Sequence, residues 1–174
     1  NKPVCCRLVS SAPPSMPCRL RVGVDLGGTK IEAVVVDLAA ASPQILSRLR
    51  VPTERARGYD HVLHAVAQII RDVVRQAGLP EAPLPPIGVG MPGAVTRAGV
   101  VKNSNTTCLN CRPFRHDLIR LLGQPIWFAN DANCFALAEA VFGAGRGHDL
   151  VFGVIMGTGV GGGIVLASQS RGIA

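Results

Sequence analysis

Apolar and polar positions along the 174-residue chain alternate with two periods, and the change from one to the other marks the elements. Leu20–Asp25 is a β-branched run leading into Leu26-Gly27-Gly28-Thr29-Lys30, and Ile31–Asp37 follows as a second strand, so the two glycines occupy a hairpin turn. Gln44–Val51 reads as a third strand closed by Pro52. Helical spacing then takes over. Val62, Val66, Ile69, Val73 and Ala77 recur on one face, with Asp60 as N-cap and Gly78 beyond the last turn. A proline-rich connection over 79–86 leads to a buried strand, Ile87–Met91, ended by Pro92-Gly93. Residues 94–112 read as turns and loop, 113–122 as a short helix ended by Gly123, and 126–129 as a strand. Asn130-Asp131 caps a helix whose apolar face is Cys134, Phe135, Leu137, Ala138 and Val141, ended by Gly143. A strand over 150–156, a glycine run over 157–163 and a strand-like segment over 164–167 complete the pattern. The class is α/β.

Composition narrows the function. Almost half of the residues are apolar (48%) against 17% charged, the reverse of a disordered chain. No apolar stretch approaches the roughly 20 residues needed to span a bilayer, so no membrane role is expected. Four of the seven net positive charges come from Lys2, Arg7, Arg19 and Arg21, and no basic run or DNA-reading motif follows, so nucleic acid is not an expected partner. Aromatics are too few, at 4%, for a single-strand stacking platform. Cys5 and Cys6 are adjacent, and Cys108-Leu109-Asn110-Cys111 is a lone pair without a second half-site. The thiols therefore read as reduced, the location as cytoplasmic, and no metal site is assigned. Residues 1–18, rich in proline and serine, read as a flexible leader without a signal-peptide core.

Two glycine turns each follow a buried strand. Without side chains, such a turn lets backbone N–H groups approach an anion closely. The first adds Asp25, Thr29 and Lys30; the second adds Thr158. Taken singly, each is equally well a tight hairpin without a ligand. Gly157, Gly159 and Gly162 spell G-x-G-x-x-G, but a strand rather than a helix follows, so the dinucleotide reading fails. A P-loop is absent. Asp131 opens a helix directly after a strand, where it serves either as a cap or as a carboxylate at the ligand-binding edge of an open α/β sheet. His61, His64, His116 and His148 lie near no nucleophile and read as surface residues.

Four segments occur together in order: Val24-Asp25-Leu26-Gly27-Gly28-Thr29-Lys30, Gly88-Val89-Gly90-Met91-Pro92-Gly93, Asn130-Asp131-Ala132-Asn133 and Gly157-Thr158-Gly159-Val160-Gly161-Gly162-Gly163. Over residues 20 to 167 they resemble the ROK family of repressors, open reading frames and sugar kinases. Val101 to Thr107, with Leu109-Asn110 and Arg112-Pro113-Phe114, is most similar to its bacterial fructokinases of the mannose/fructose-kinase type. The resemblance implies an actin-like, ribonuclease H-like ATPase fold: a small lobe over 19–129 and the start of a large lobe over 130–174. It implies Asp25, Gly27, Gly28, Thr29 and Lys30 as a first phosphate motif and Gly157, Thr158 and Gly159 as a second. Gly93 and Asn105 would line the sugar pocket, Asn130 would hold sugar hydroxyls, and Asp131 would be the catalytic base. Cys111 stands where the family usually has glycine, and Cys108 where fructokinases often have tryptophan.

The implied activity is transfer of the γ-phosphate of ATP, with Mg2+, to the 6-hydroxyl of a hexose, D-fructose before glucose or an N-acetylhexosamine. The implied partners are ATP and the sugar, with a homodimer in the full-length parent. Full-length relatives carry a Glu-x-x-His segment and a cysteine-rich zinc motif beyond the second glycine turn; the zinc ligands are not found here. A truncated, non-catalytic fragment is an alternative. A sugar-sensing repressor is another, and it would need a helix-turn-helix ahead of Asp25.

Overall fold

A computed structural model describes residues 19–39, 42–156 and 160–166. Strands β1 (Leu20–Leu26), β2 (Lys30–Asp37) and β3 (Gln44–Pro52) form an antiparallel meander, as the alternation predicts. Helix α1 (Tyr59–Gln76) returns the chain across one face to β4 (Ile87–Met91). Then come a small hairpin, β5 (Ala94–Val95) with β6 (Val101–Lys102), helix α2 (Phe114–Leu122), and β7 (Ile126–Asn130). Helix α3 (Asp131–Phe142) and a second hairpin, β8 (Leu150–Met156) with β9 (Val160–Leu166), follow. The main sheet has the order β3-β2-β1-β4-β7, with β4 parallel to both β1 and β7.

Period-two burial sorts the sheet. Val22, Val24 and Leu26 of β1, Ile31, Ala33 and Val35 of β2, and Ile87, Val89 and Met91 of β4 are all buried in one core with α1. That helix answers with Val62, Val66, Ile69, Ile70, Val73 and Val74, a stripe at i, i+3, i+4 and i+7 spacing. Ser47 of β3 donates to the Val73 carbonyl at 2.7 Å, which satisfies its hydroxyl inside this layer. Phe114, fully buried, makes edge-to-face contacts with Tyr59 and Phe128, joining α1, α2 and β7. The Tyr59 hydroxyl donates to Asp117, and Arg112 stacks 4.2 Å over the Tyr59 ring.

Four expectations need correction. Gly58, not Asp60, caps α1; Asp60 lies in the first turn, where a carboxylate favours the helix dipole. Residues 94–112 are not all loop, because two two-residue strands pair there. The predicted face of α3 is largely open: Phe135, Leu137 and Val141 are exposed, while Ala132 and Ala136 are its buried residues. The glycine run is shorter than expected, since β9 begins at Val160 and takes in Gly161, Gly162 and Gly163. The chain reversals at Gly78 and Gly123 hold: both glycines adopt φ +71, the left-handed conformation that ends a helix.

Phe114→Ala should cost about 3–5 kcal/mol, the range for emptying a fully buried aromatic site. Urea unfolding checks this. A midpoint unchanged from the native chain would show that Phe114 is not part of the core.

Candidate functional site

The parallel strands β1, β4 and β7 all end at one edge of the sheet, and the predicted site residues from Asp25 to Asp131 gather there. Asp25 is next to last in β1 and pairs in register with Gly90 of β4 on one side and Glu32 of β2 on the other. The Gly27-Gly28-Thr29 reversal follows, closed by the Gly27 N–H donating to the Lys30 carbonyl at 3.0 Å, and Lys30 opens β2. This turn is held from below by a residue that pattern reading passed over. Thr53, fully buried just after β3, donates its hydroxyl to the Gly27 carbonyl at 2.7 Å and its N–H to the Thr29 carbonyl at 2.9 Å. Its sequence signal was only a threonine after the strand-ending Pro52.

Gly93, which follows β4, has φ +88. A Cβ there would strike the Lys102 carbonyl oxygen and lie 2.8 Å from the Ser104 nitrogen, so only glycine lets the loop after β6 close over this position. That loop, which carries Asn105, is stitched by Asn110: its Oδ1 accepts from the Ser104 N–H at 2.9 Å and its Nδ2 donates to the Ser104 carbonyl at 3.1 Å. Asn103 and Cys111 hold left-handed conformations at φ 56 and φ 62. The second is the physical reason a glycine suits that place. Cys108, Cys111 and Cys134 are free thiols.

Asn130 ends β7 and caps α3. Its Oδ1 accepts from the Ala132 N–H at 3.0 Å, and its Nδ2 donates to the Gly93 carbonyl at 3.1 Å, so one side chain ties the helix to the loop after β4. Its neighbour meets the same N–H. Asp131, the first residue of α3, accepts from the Ala132 N–H through Oδ1 at 2.9 Å, and no hydrogen bond among the described residues involves its Oδ2. Partial burial against the sheet, then the charge of Asp131, then that of Glu32, push the Asp25 carboxyl above the ordinary carboxylate range; Lys30 and Arg50 oppose this incompletely. Burial first, and then Asp131 and Asp25, raise the Cys134 thiol as well. Three groups from β1 and α3 therefore share one field.

Asp25, Gly27, Gly28, Thr29, Lys30, Gly93, Asn105, Asn130 and Asp131 thus lie around one end of the sheet, linked by contacts through Asn105, Gly93 and Asn130. Gly157, Thr158 and Gly159, between β8 and β9, lie outside the described residues. Among the described residues no cluster of three or more His, Cys, Asp and Glu side chains is placed to hold a metal ion, and no helix is long and apolar enough to cross a membrane.

A sheet of order β3-β2-β1-β4-β7, with a glycine reversal between β1 and β2 and an Asn-Asp helix start after β7, defines an actin-like ATPase fold. Within that class the chain belongs to the ROK family, whose profile matches residues 21–172. It is 40% identical over 144 residues to the N-acetylgalactosamine kinase AgaK of Shewanella sp. (strain ANA-3), covering 83% of this chain and 44% of that kinase. With the glucokinase of Thermotoga maritima it shares 37% over 152 residues, 86% of this chain and 45% of that one. Among solved structures, a ROK family glucokinase from Streptomyces griseus in complex with glucose and AMPPNP superposes with TM-score 0.69 at 32% identity, covering 84% of this chain and 44% of that one. A ROK hexokinase from Thermus thermophilus gives 0.68 at 37% identity, over 84% and 46%. The chain spans somewhat less than half the length of these relatives.

Because Asp25 binds its proton more tightly folded than unfolded, ionising it costs stability. The cost is absent below the unfolded carboxylate pKa, near 4, and grows as pH rises through the raised folded value. Asp25→Asn should therefore melt above the native chain at neutral pH and lose that advantage near pH 3. Melting temperatures at the two pH values decide it, and an Asn variant less stable at neutral pH would reverse the sign.

Proposed function

We propose that this chain supplies the small lobe (19–129) and the beginning of the large lobe (130–174) of an ATP-dependent hexose kinase. The observation that carries the reading is the meeting of Asp131, at the start of α3, with Asp25 and the Gly27–Lys30 turn at one sheet end. Family membership and the relatives named as sugar kinases support it.

The residues present suit a magnesium nucleotide. A Cβ at Gly28 would lie 3.3 Å from the Arg55 guanidinium and 3.7 Å from the Asn105 carbonyl oxygen, so the turn is a cradle that a side chain would crowd. Asp25 is a hard oxygen donor beside it, and Mg2+ takes one or two carboxylates with phosphate oxygens. Bound there, the metal would neutralise phosphate charge. The backbone amides of Gly27 to Lys30, with the Lys30 ammonium, would bind phosphate, and Gly157 to Gly159 would form the second phosphate turn. Asn105, Gly93 and Asn130 would orient the sugar. Asp131 would then accept the proton of the sugar hydroxyl as the phosphoryl group transfers.

Asp131→Asn isolates this role. Asparagine can still accept from the Ala132 N–H, and Asn130 remains the cap, so α3 keeps its start. Loss of a general base alone predicts roughly 10²- to 10⁴-fold lower kcat, with nucleotide affinity close to native. A folded Asp131→Asn kinase keeping more than about a tenth of native kcat would remove Asp131 from the chemistry.

The sugar is D-fructose on the strength of the loop from Val101 to Phe114. Glucose and N-acetylhexosamines are the second reading, favoured by the relatives named N-acetylgalactosamine kinase and glucokinase. A buried polar site penalises a sugar that leaves its groups unpaired by about 1–3 kcal/mol per group. ADP release by the complete protein with fructose, glucose, N-acetylglucosamine and N-acetylgalactosamine should give fructose the highest kcat/KM. A tenfold preference for another of the four would overturn fructose, and release with none would overturn the kinase reading.

A further inference from the structure

The geometry points to Arg55 as a positioning residue that couples the sugar loop to the phosphate turn. Its place is set by two residues before it. Thr53 is locked to both sides of the turn through Gly27 and Thr29. Glu54 then takes a left-handed conformation, φ 47 and ψ 42, which costs a non-glycine residue energy and sharply redirects the chain. Arg55 opens the short 3-10 turn Arg55–Arg57 that results.

From there the guanidinium passes over the glycine turn. Its Nη1 donates to the Asn105 carbonyl at 2.7 Å, fifty residues away in sequence, and lies 3.3 Å from where a Cβ on Gly28 would be. The side chain is otherwise exposed and forms no ion pair with an acid among the described residues. Glu54, its neighbour, pairs instead with Arg57 and His61. One long cation thus joins the turn assigned to nucleotide phosphate to the backbone of the loop assigned to sugar.

This rests on the kinase reading. A sugar that orders the Asn105 loop fixes Arg55 over Gly28, and a nucleotide that orders the turn fixes the loop. Each ligand then tightens the other by one shared factor, as linkage requires.

The experiment measures AMPPNP affinity of the complete protein with and without a saturating hexose, using the sugar of highest kcat/KM in the panel above. Native protein should bind AMPPNP at least about fivefold more tightly with sugar present. In Arg55→Ala that factor should fall to within about twofold of unity, while each ligand alone binds within about threefold of native. Arg55→Lys keeps a donor for the Asn105 carbonyl and should restore part of the factor. If the alanine variant fails to fold, Arg55→Met, which keeps the aliphatic stem, is read in its place. A native factor of one, an alanine variant as coupled as native, or a lysine variant no better than alanine overturns the assignment. So does a variant in which both affinities fall while the coupling persists, because that is a merely structural effect. ADP release by the same preparations separates failure of this inference from failure of the kinase reading.

Discussion

Parallel pairing of β4 with β1 on one side and β7 on the other is the constraint from which the site follows. Parallel neighbours must end at the same edge, so the segments leaving β1, β4 and β7 emerge together although they lie far apart in sequence. Asp25 is set beside Gly90, and the next residues beyond β4 and β7 are the loop holding Gly93 and the start of α3. Shifting β4 by one residue would turn Ile87, Val89 and Met91 off the α1 face, so the packed core and the site geometry depend on the same register.

The site residues are then held by one another more than by the core. Thr53 grips the Gly27 turn, the loop after β6 closes on Gly93, and Asn130 ties Gly93 to α3. Electrostatics opposes this convergence. Asp25 is raised first by its burial and then by the charges of Asp131 and Glu32, which Lys30 and Arg50 offset only in part. A site that keeps such strain in the folded state gains from any cation brought to it.

The strands β1 to β4, helix α1 and the start of α3 were legible because each carries its own local signal: alternation, a helical stripe, or a cap. The β1–β2 turn was legible by its glycines. What escaped has long-range causes. β5 and β6 are two residues each, too short to show a period, and exist because the loop between them folds back. Thr53 and Arg55 act on partners 26 and 50 positions away, which no window along the chain contains. The face of α3 was misjudged because that helix is apolar nearly all round; its neighbours, and not its pattern, select Ala132 and Ala136 for burial.

That selection also explains glycines that lie outside the two candidate phosphate motifs. A Cβ on Gly163 would lie 2.6 Å from the Ala132 carbonyl oxygen, and one on Gly153 would lie 3.0 Å from the Ala136 Cβ. These two glycines are register partners on the inner face of the β8–β9 hairpin, so their missing side chains let its backbone press directly on α3. On the opposite side of the same helix, Gly90 of β4 faces Cys134, whose Sγ would be 3.4 Å from an added Cβ. Helix α3 is therefore pressed by glycine backbone on the hairpin side, at a separation larger residues could not reach, and rests through Cys134 on Gly90 of β4 on the other. A helix held so closely has little freedom to shift along either sheet. The same packing that buries Ala132 and Ala136 thus holds Asp131 in place at the sheet edge.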